Sequence, residues 1–148
     1  MKTEIHDLNE KFLDEIDLIE QKSFKHPWSK QAYRDEINNP VAVYKVITVD
    51  DKVVSYGGFW QIFDEGHITN ICVKEEYRRQ GFGKMLMEAI IKEAKQRKLY
   101  SLTLEVRVSN IGAIKLYENF GFKSAGVRPK YYPDGEDAMI LWLEGIYT

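Results

Sequence analysis

The sequence predicts an α/β (α+β) fold: a mixed, twisted sheet of about seven strands flanked by four helices. Three observations carry this reading. Residues 41–73 hold three consecutive runs rich in Val, Ile and Tyr, parted by short turns, the pattern of an antiparallel meander. A glycine-bearing loop, Tyr77-Arg78-Arg79-Gln80-Gly81-Phe82-Gly83-Lys84, then joins the last run to a helical stretch, Met85 to Arg97, and on to another strand. A helical crossover of this kind makes the next strand a parallel neighbour. Finally, 148 residues of which 44% are hydrophobic are enough to bury the core of one domain, spanning 1–148.

The elements follow the order β-α-α-β-β-β-α-β-α-β-β. Residues 3 to 7 read as a short strand, and Asp7 with Glu10 resembles a capping pair. Phe12, Ile16 and Ile19 recur at helical spacing, flanked by Leu8 and Leu13. Pro27-Trp28-Ser29 breaks the chain, and Ser29 is placed to cap a second helix that Asn38-Asn39-Pro40 ends. Val41 to Val49 and Val53 to Ile62 are strands joined by Asp50-Asp51-Lys52, and Phe63 to Gly66 turns into the strand that reaches Val73. Met85, Leu86, Ala89, Ile90 and Ala94 form the buried stripe of the third helix. Ser101 to Val108 is a strand, Ser109 caps a helix from Asn110 to Asn119, and Gly121 stands where a left-handed cap belongs. Phe122 to Arg128 and Ala138 to Leu143 complete the sheet.

Charge and cysteine content narrow the function. Twenty-one basic against 23 acidic residues give a net charge of −2, which argues against broad nucleic-acid binding. The single cysteine, Cys72, has no internal disulfide partner. No apolar run approaches the roughly 20 residues of a membrane span, and the first ten residues lack a signal-peptide core. A cytoplasmic protein without membrane contact is expected.

The glycine loop is the first candidate for chemistry. Glycines let the backbone approach a ligand, and the free N–H groups and dipole of a helix start favour an anion. Arg78, Arg79 and Lys84 add positive charge. On these residues alone the loop is either a polyphosphate site or a solvated basic turn. In the strand after the helix, Leu102, Leu104, Val106 and Val108 share one face, and Thr103, Glu105 and Arg107 the other. A carboxylate and a guanidinium there mean a wet cleft, a Glu–Arg pair or an edge strand. Asn110 and Tyr117 lie on one stripe, about 10.5 Å apart along the axis, lining either a groove or the core. Cys72 lacks a neighbour that would make it a thiolate and reads as packing. His6, His26 and His67 show no metal-ligand spacing, so no metal is expected.

Taken together, these residues resemble the GNAT superfamily of acyl-CoA-dependent N-acetyltransferases, through [RQ]-x-x-G-x-[GA] matched by Arg78-Arg79-Gln80-Gly81-Phe82-Gly83. Leu104-Glu105-Val106-Arg107-Val108-Ser109-Asn110, Ala113-Ile114, Leu116-Tyr117 and Gly121-Phe122 resemble its RimI-type ribosomal-protein alanine N-acetyltransferases. So do Arg128, Tyr131-Tyr132-Pro133, Glu136-Asp137-Ala138 and, near the N-terminus, Phe24 with Pro27-Trp28-Ser29. Residues 41 to 66 match only in general pattern.

The resemblance implies acetyl-CoA as co-substrate and a protein N-terminus, that of a small-subunit ribosomal protein, as partner. It implies that the backbone of Ile71, Cys72 and Val73 binds the acetyl and pantetheine portion. Arg79 to Lys84, with Arg78, would cradle the pyrophosphate, and Asn110 would contact the pantetheine arm. Glu105 would be the general base and Tyr117 the general acid. Phe24, Trp28, Tyr131, Tyr132, Glu136 and Asp137 would wall the substrate groove. Other readings keep the fold but change the substrate to a small amine or lysine, keep acyl-CoA binding without catalysis, or use the basic loop for RNA. The last is disfavoured by the absence of an aromatic stacking platform beside the loop.

Overall fold

The computed structural model describes residues 1–147; Thr148, the last residue of the expected domain, lies outside them. Strands β1 (Thr3–Asp7), β2 (Ala42–Val49), β3 (Lys52–Ile62), β4 (Glu65–Val73), β5 (Ser101–Arg107), β6 (Lys123–Arg128) and β7 (Ala138–Glu144) form one sheet in the order β1-β2-β3-β4-β5-β7-β6. Helices α1 (Leu13–Ser23) and α2 (Lys30–Ile37) precede β2, α3 (Phe82–Gln96) links β4 to β5, and α4 (Ile111–Asn119) links β5 to β6. The seven strands, four helices and their order agree with the sequence reading.

Alternation along the strands divides the core between two faces. Phe12, Leu13, Ile16 and Ile19 pack with Tyr33, Tyr44, Val46, Val53, Tyr56 and Cys72 on the α1/α2 side. Phe82, Leu86, Met87, Ile90 and Ala94 of α3 pack with Val54, Phe59, Leu102 and Leu141 on the other. Asp50 and Asp51, both at positive φ (50° and 67°), form the two-residue turn of the β2–β3 hairpin. Such a turn matches the right-handed twist of the strands. Of the two edge strands, β1 pairs with β2 and β6 with β7, and all six residues of β6 are exposed.

Local capping departs from the sequence reading in several places. Asp7 stays in β1 and binds Lys45 at 2.6 Å, while Asn9 caps a 3-10 turn, Glu10–Phe12, ahead of α1. Helix α3 starts at Phe82, three residues before the expected Met85, because Gly81 at φ +87° serves as its N-cap. Met87 adds a fully buried residue to the α3 stripe. Asn110, not Ser109, caps α4, its Oδ1 accepting from the N–H of Ala113 at 3.2 Å. The Ser109 N–H instead donates to Glu136. Gly121 does take the left-handed conformation, at φ +100°.

The feature that shapes the molecule is the brevity of the one parallel pairing. Strands β4 and β5 pair only at Glu65–Ser101, Gly66–Leu102 and His67–Thr103. On the other side of β4, Gly58 pairs with Asn70 and Phe59 with Ile68, so Thr69 is an extra residue. A bulge of this kind bends its strand and strengthens its twist. The bend falls where pairing with β5 stops, and the two strands part into a V.

Close approach at β3 makes the sheet depend on glycine there. A Cβ on Gly58 would lie 2.0 Å from the Val43 carbonyl oxygen and 2.7 Å from the Tyr44 ring. Gly58→Ala is expected to destabilise the protein by about 3 kcal/mol through overpacking. Gly112 is the control: it lies inside α4, and a Cβ added there would meet nothing within 4 Å. Gly112→Ala should be neutral or stabilise by about 0.5–1 kcal/mol. Urea unfolding of the two variants checks both.

Candidate active site

A cleft of about 600 Å³ fills the V between β4 and β5. Ile68 to Ile71 form one side and Leu104 to Arg107 the other. Asn110 and Tyr117 reach it from α4, Glu20 and Phe24 from the end of α1, Trp28 from the loop before α2, and Tyr132 to Asp134 from the loop between β6 and β7. The parted strands thus bring together Phe24, Trp28, Ile71, Glu105, Asn110, Tyr117 and Tyr132 from the expected site. Cys72, Val73, Tyr131, Glu136 and Asp137 do not line this cleft. Nor do residues 78–84, which lie beyond the end of β4.

Glu105 is half-buried, and its one ionic contact among the described residues is a long one, 3.7 Å from Arg128. The alternative of a Glu105–Arg107 pair is not realised. Arg107 binds Asp134 at 2.8 Å and Glu136 at 2.9 Å, with its guanidinium 4.1 Å from the centre of the Tyr132 ring. Nor is β5 an edge, since it lies between β4 and β7.

The second oxygen of Glu136 accepts the Ser109 N–H at 2.9 Å. These contacts hold the Glu136 carboxyl below its ordinary pKa: first the hydrogen bonds from Ser109, together with Arg107. Asp137 accepts the Lys130 N–H. The two carboxylates expected at the substrate wall therefore bind their own chain, and Asp134 is the loop carboxylate at the cleft. Arg107 pulls the loop into this arrangement, a long-range contact that sequence spacing does not encode.

Tyr117 is 6% exposed. Burial, with Tyr132 nearby, pushes its pKa above the ordinary 10.0, so the phenol keeps its proton. Burial likewise raises the Cys72 thiol, consistent with a packing role. His67 lies on the paired part of β4, 3.2 Å from Glu65. Among the described residues, no three His, Cys, Asp or Glu side chains cluster as metal ligands.

The glycine loop presents an anion site of backbone groups. Arg79 at φ +62° and Gly81 at φ +87° turn the chain into α3, whose cap makes no side-chain hydrogen bond. Among the described residues the N–H groups of residues 79–84 donate to no partner within the chain. Phe82 is buried and offers only its backbone. Arg78 Nε donates to the Val73 carbonyl at 3.1 Å, and Gln80 to that of Glu76, bracing the turn. Arg79 and Lys84 remain exposed. These groups fit a pyrophosphate in charge and in hydrogen-bond sense.

Sequence reasoning missed Glu20, 1% exposed at the base of the cleft. It accepts four hydrogen bonds: from Tyr33 (2.9 Å), Tyr56 (2.5 Å), the Trp28 N–H (3.0 Å) and Asn70 (3.4 Å). The signal was available, since Glu20 falls four residues after Ile16 and seven after Leu13, on the apolar stripe. A carboxylate at a core position is conspicuous. Asn70, between Thr69 and Ile71 of β4, carries no such signal; its place beside Glu20 is visible only once the sheet is built.

Comparison with known proteins follows the same lines. Residues 13–122 match the model of the acetyltransferase (GNAT) family. A protein of Bacillus subtilis is 40% identical over 144 residues, covering 96% of this chain and 95% of its own length. The ribosomal protein bS18-alanine N-acetyltransferase of Salmonella typhimurium is 38% identical over 128 residues, covering 84% and 86%. The crystal structure of the ribosomal-protein-S18-alanine N-acetyltransferase from Escherichia coli superposes with a TM-score of 0.91 at 35% identity, covering 99% of this chain and 96% of that one. By sequence and by fold, the chain belongs to the GNAT family of acetyltransferases and within it resembles the RimI type.

Proposed function

We propose that residues 1–148 form a single N-acetyltransferase domain that transfers an acetyl group from acetyl-CoA to a protein α-amine. The proposed substrate is the N-terminal alanine of a small-subunit ribosomal protein in the cytoplasm. The observation that carries this reading is the cleft between β4 and β5, with Glu105 and Tyr117 on its walls and the unpaired N–H groups of the α3 start beyond it. Similarity to bS18-alanine acetyltransferases supports the choice of substrate.

Acetyl-CoA supplies the thioester that the amine attacks. The protein's residues then have four tasks. The N–H groups of residues 79–84, with Arg78, Arg79 and Lys84, bind the pyrophosphate. The part of β4 that β5 leaves unpaired, through Ile71, Cys72 and Val73, offers backbone hydrogen bonds to the acetyl and pantetheine portion, and Asn110 lies along the same path. Glu105 takes the proton of the attacking amine, directly or through water. Tyr117, kept protonated by burial, gives a proton to the departing thiolate. An α-amine, with a pKa of about 7.7–8.0 against about 10.4 for lysine, needs only a modest base. Glu20, Glu105 and Asp134 face Arg107 and Lys25 around the cleft, and Arg107 is already bound by two carboxylates. A cationic second residue therefore suits the substrate better than an acidic one. Phe24, Trp28 and Tyr132 confine the first residue, with Tyr131 outside them.

At the cofactor end, Gly83→Glu puts negative charge at the helix N-terminus and should weaken acetyl-CoA by roughly tenfold or more, measured by calorimetry. A Cβ there lies 3.3 Å from a flexible tip of Leu116, so Gly83→Ala should fold and bind. Equal affinity in a folded Gly83→Glu would end the phosphate assignment.

For the proton transfers, Glu105→Gln and Tyr117→Phe should each lower kcat by roughly 10²–10⁴-fold with acetyl-CoA affinity little changed. Cys72→Ala should remain active, since attack is direct. Because the Tyr117 pKa lies above 10.0, wild-type rate should rise as the amine deprotonates, near pH 8. It should not fall until pH exceeds about 10. A decline between pH 8 and 9 would remove Tyr117 as the acid.

On a peptide panel, an Ala-Arg start should be acetylated on its α-amine faster than the same peptide starting Glu or Lys. Free lysine and polyamines should be poor substrates. Intact-mass and fragment analysis reads this out, and acetylation confined to lysine side chains would overturn the substrate assignment.

A further inference from the structure

Asn70 is tied to its surroundings by one half of its amide. Its Nδ2 donates to Glu20 Oε1 at 3.4 Å and to the Tyr33 hydroxyl. The Tyr33 hydroxyl donates in turn to Glu20 Oε2, which also takes the Tyr56 hydroxyl. Burial and the neighbouring carboxylate push both phenols far above their ordinary pKa, so both remain donors. The Trp28 N–H and the Tyr33 and Tyr56 hydroxyls all point at the Glu20 oxygens, so the half of the Asn70 amide that faces them is the donating one.

Both amide hydrogens being committed to this network, planarity directs Oδ1 away from it. Oδ1 takes no hydrogen bond among the described residues. No unpartnered side-chain oxygen of theirs is sealed from solvent, and Asn70 lines the cleft. Oδ1 is therefore an open acceptor on the β4 wall, across the V from Glu105.

We propose that Asn70 Oδ1 receives an N–H of the substrate amine, and that Tyr33 and Glu20 are positioning residues that present it. The inference rests on the acetyltransferase reading above and names the group that holds the nucleophile. A neutral oxygen suits this task. A carboxylate at the same place would hold the ammonium form and raise its pKa. A carbonyl oxygen accepts from the neutral amine equally well and leaves the lone pair free to meet the thioester. Glu20 stands behind the Asn70 amide, one hydrogen bond away.

The test is steady-state kinetics on the Ala-Arg peptide with Asn70→Ala, Tyr33→Phe and the double variant. Asn70→Ala should raise the peptide KM by roughly 10- to 100-fold, the loss of one hydrogen bond to a charged or strongly polar partner. The KM for acetyl-CoA and the kcat at saturating peptide should stay within about threefold. Tyr33→Phe should raise the peptide KM by a smaller factor. The double variant should be no worse than Asn70→Ala alone, because Tyr33 acts through Asn70. Calorimetry with acetyl-CoA certifies that each variant folds. An unchanged peptide KM in a folded Asn70→Ala overturns the proposal, as do losses that multiply in the double variant. Should Asn70→Ala not fold, the peptide KM of Tyr33→Phe decides, an unchanged value overturning the proposal. If the wild-type protein acetylates a lysine or a small amine instead, the α-amine reading fails. The same variants measured on that amine then judge Asn70 separately.

Discussion

The parting of β4 from β5 after three residue pairs governs everything else in this structure. A parallel pair that continued would satisfy its own backbone groups and leave no room between the strands. Here Thr69 intrudes opposite the Gly58–Phe59 step, β4 bends, and backbone that a sheet normally consumes is left for another molecule. The bend has strict requirements on the β3 side. Gly58 packs against the Val43 carbonyl so closely that no side chain fits. The cleft is a defect in the sheet, held open by the packing around it.

Two polar assemblies hold the walls of that opening. On the β4 side, Glu20 gathers Trp28, Tyr33, Tyr56 and Asn70 around one buried carboxylate. On the β5 side, Arg107 gathers Tyr132, Asp134 and Glu136 around one guanidinium. Each of these two side chains binds its partners by several directed hydrogen bonds, so each wall has one arrangement instead of many. Removing a partner from such a group leaves polar atoms unpaired, which costs more than the bond itself. The walls are therefore set before any ligand arrives, which lowers the ordering cost of binding.

Much of this was legible in the sequence because it is local. Strand alternation, the Gly81–Gly83 loop and the helical stripes report their own neighbourhoods, and the element order follows from them. Glu105 and Tyr117 were identified through motif resemblance and do line the cleft. What was missed is set by contacts between distant segments. Asn110 and not Ser109 caps α4, and the Ser109 N–H goes to Glu136, which Arg107 also holds. Glu136 and Asp137 are likewise taken up by contacts within their own chain, with Arg107 and Ser109 and with the Lys130 N–H. Glu20 was hidden by the usual inference that a helix carboxylate faces water, although its place on the apolar stripe argued otherwise.

The exposed outer strand has a consequence for the behaviour of many molecules together. A flat, free strand offers its unpaired N–H and C=O groups to any other chain and templates growth into fibres. Strand β6 is interrupted where Ser124 and Gly126 flank an extra residue, with Gly126 at φ +132°. Lys123 opens it and Arg128 closes it. The kink spoils the regular ladder that a second copy would need, and the cations repel that copy as it approaches. A sheet that keeps a gap at its centre for a ligand is thus closed at this margin to its own kind.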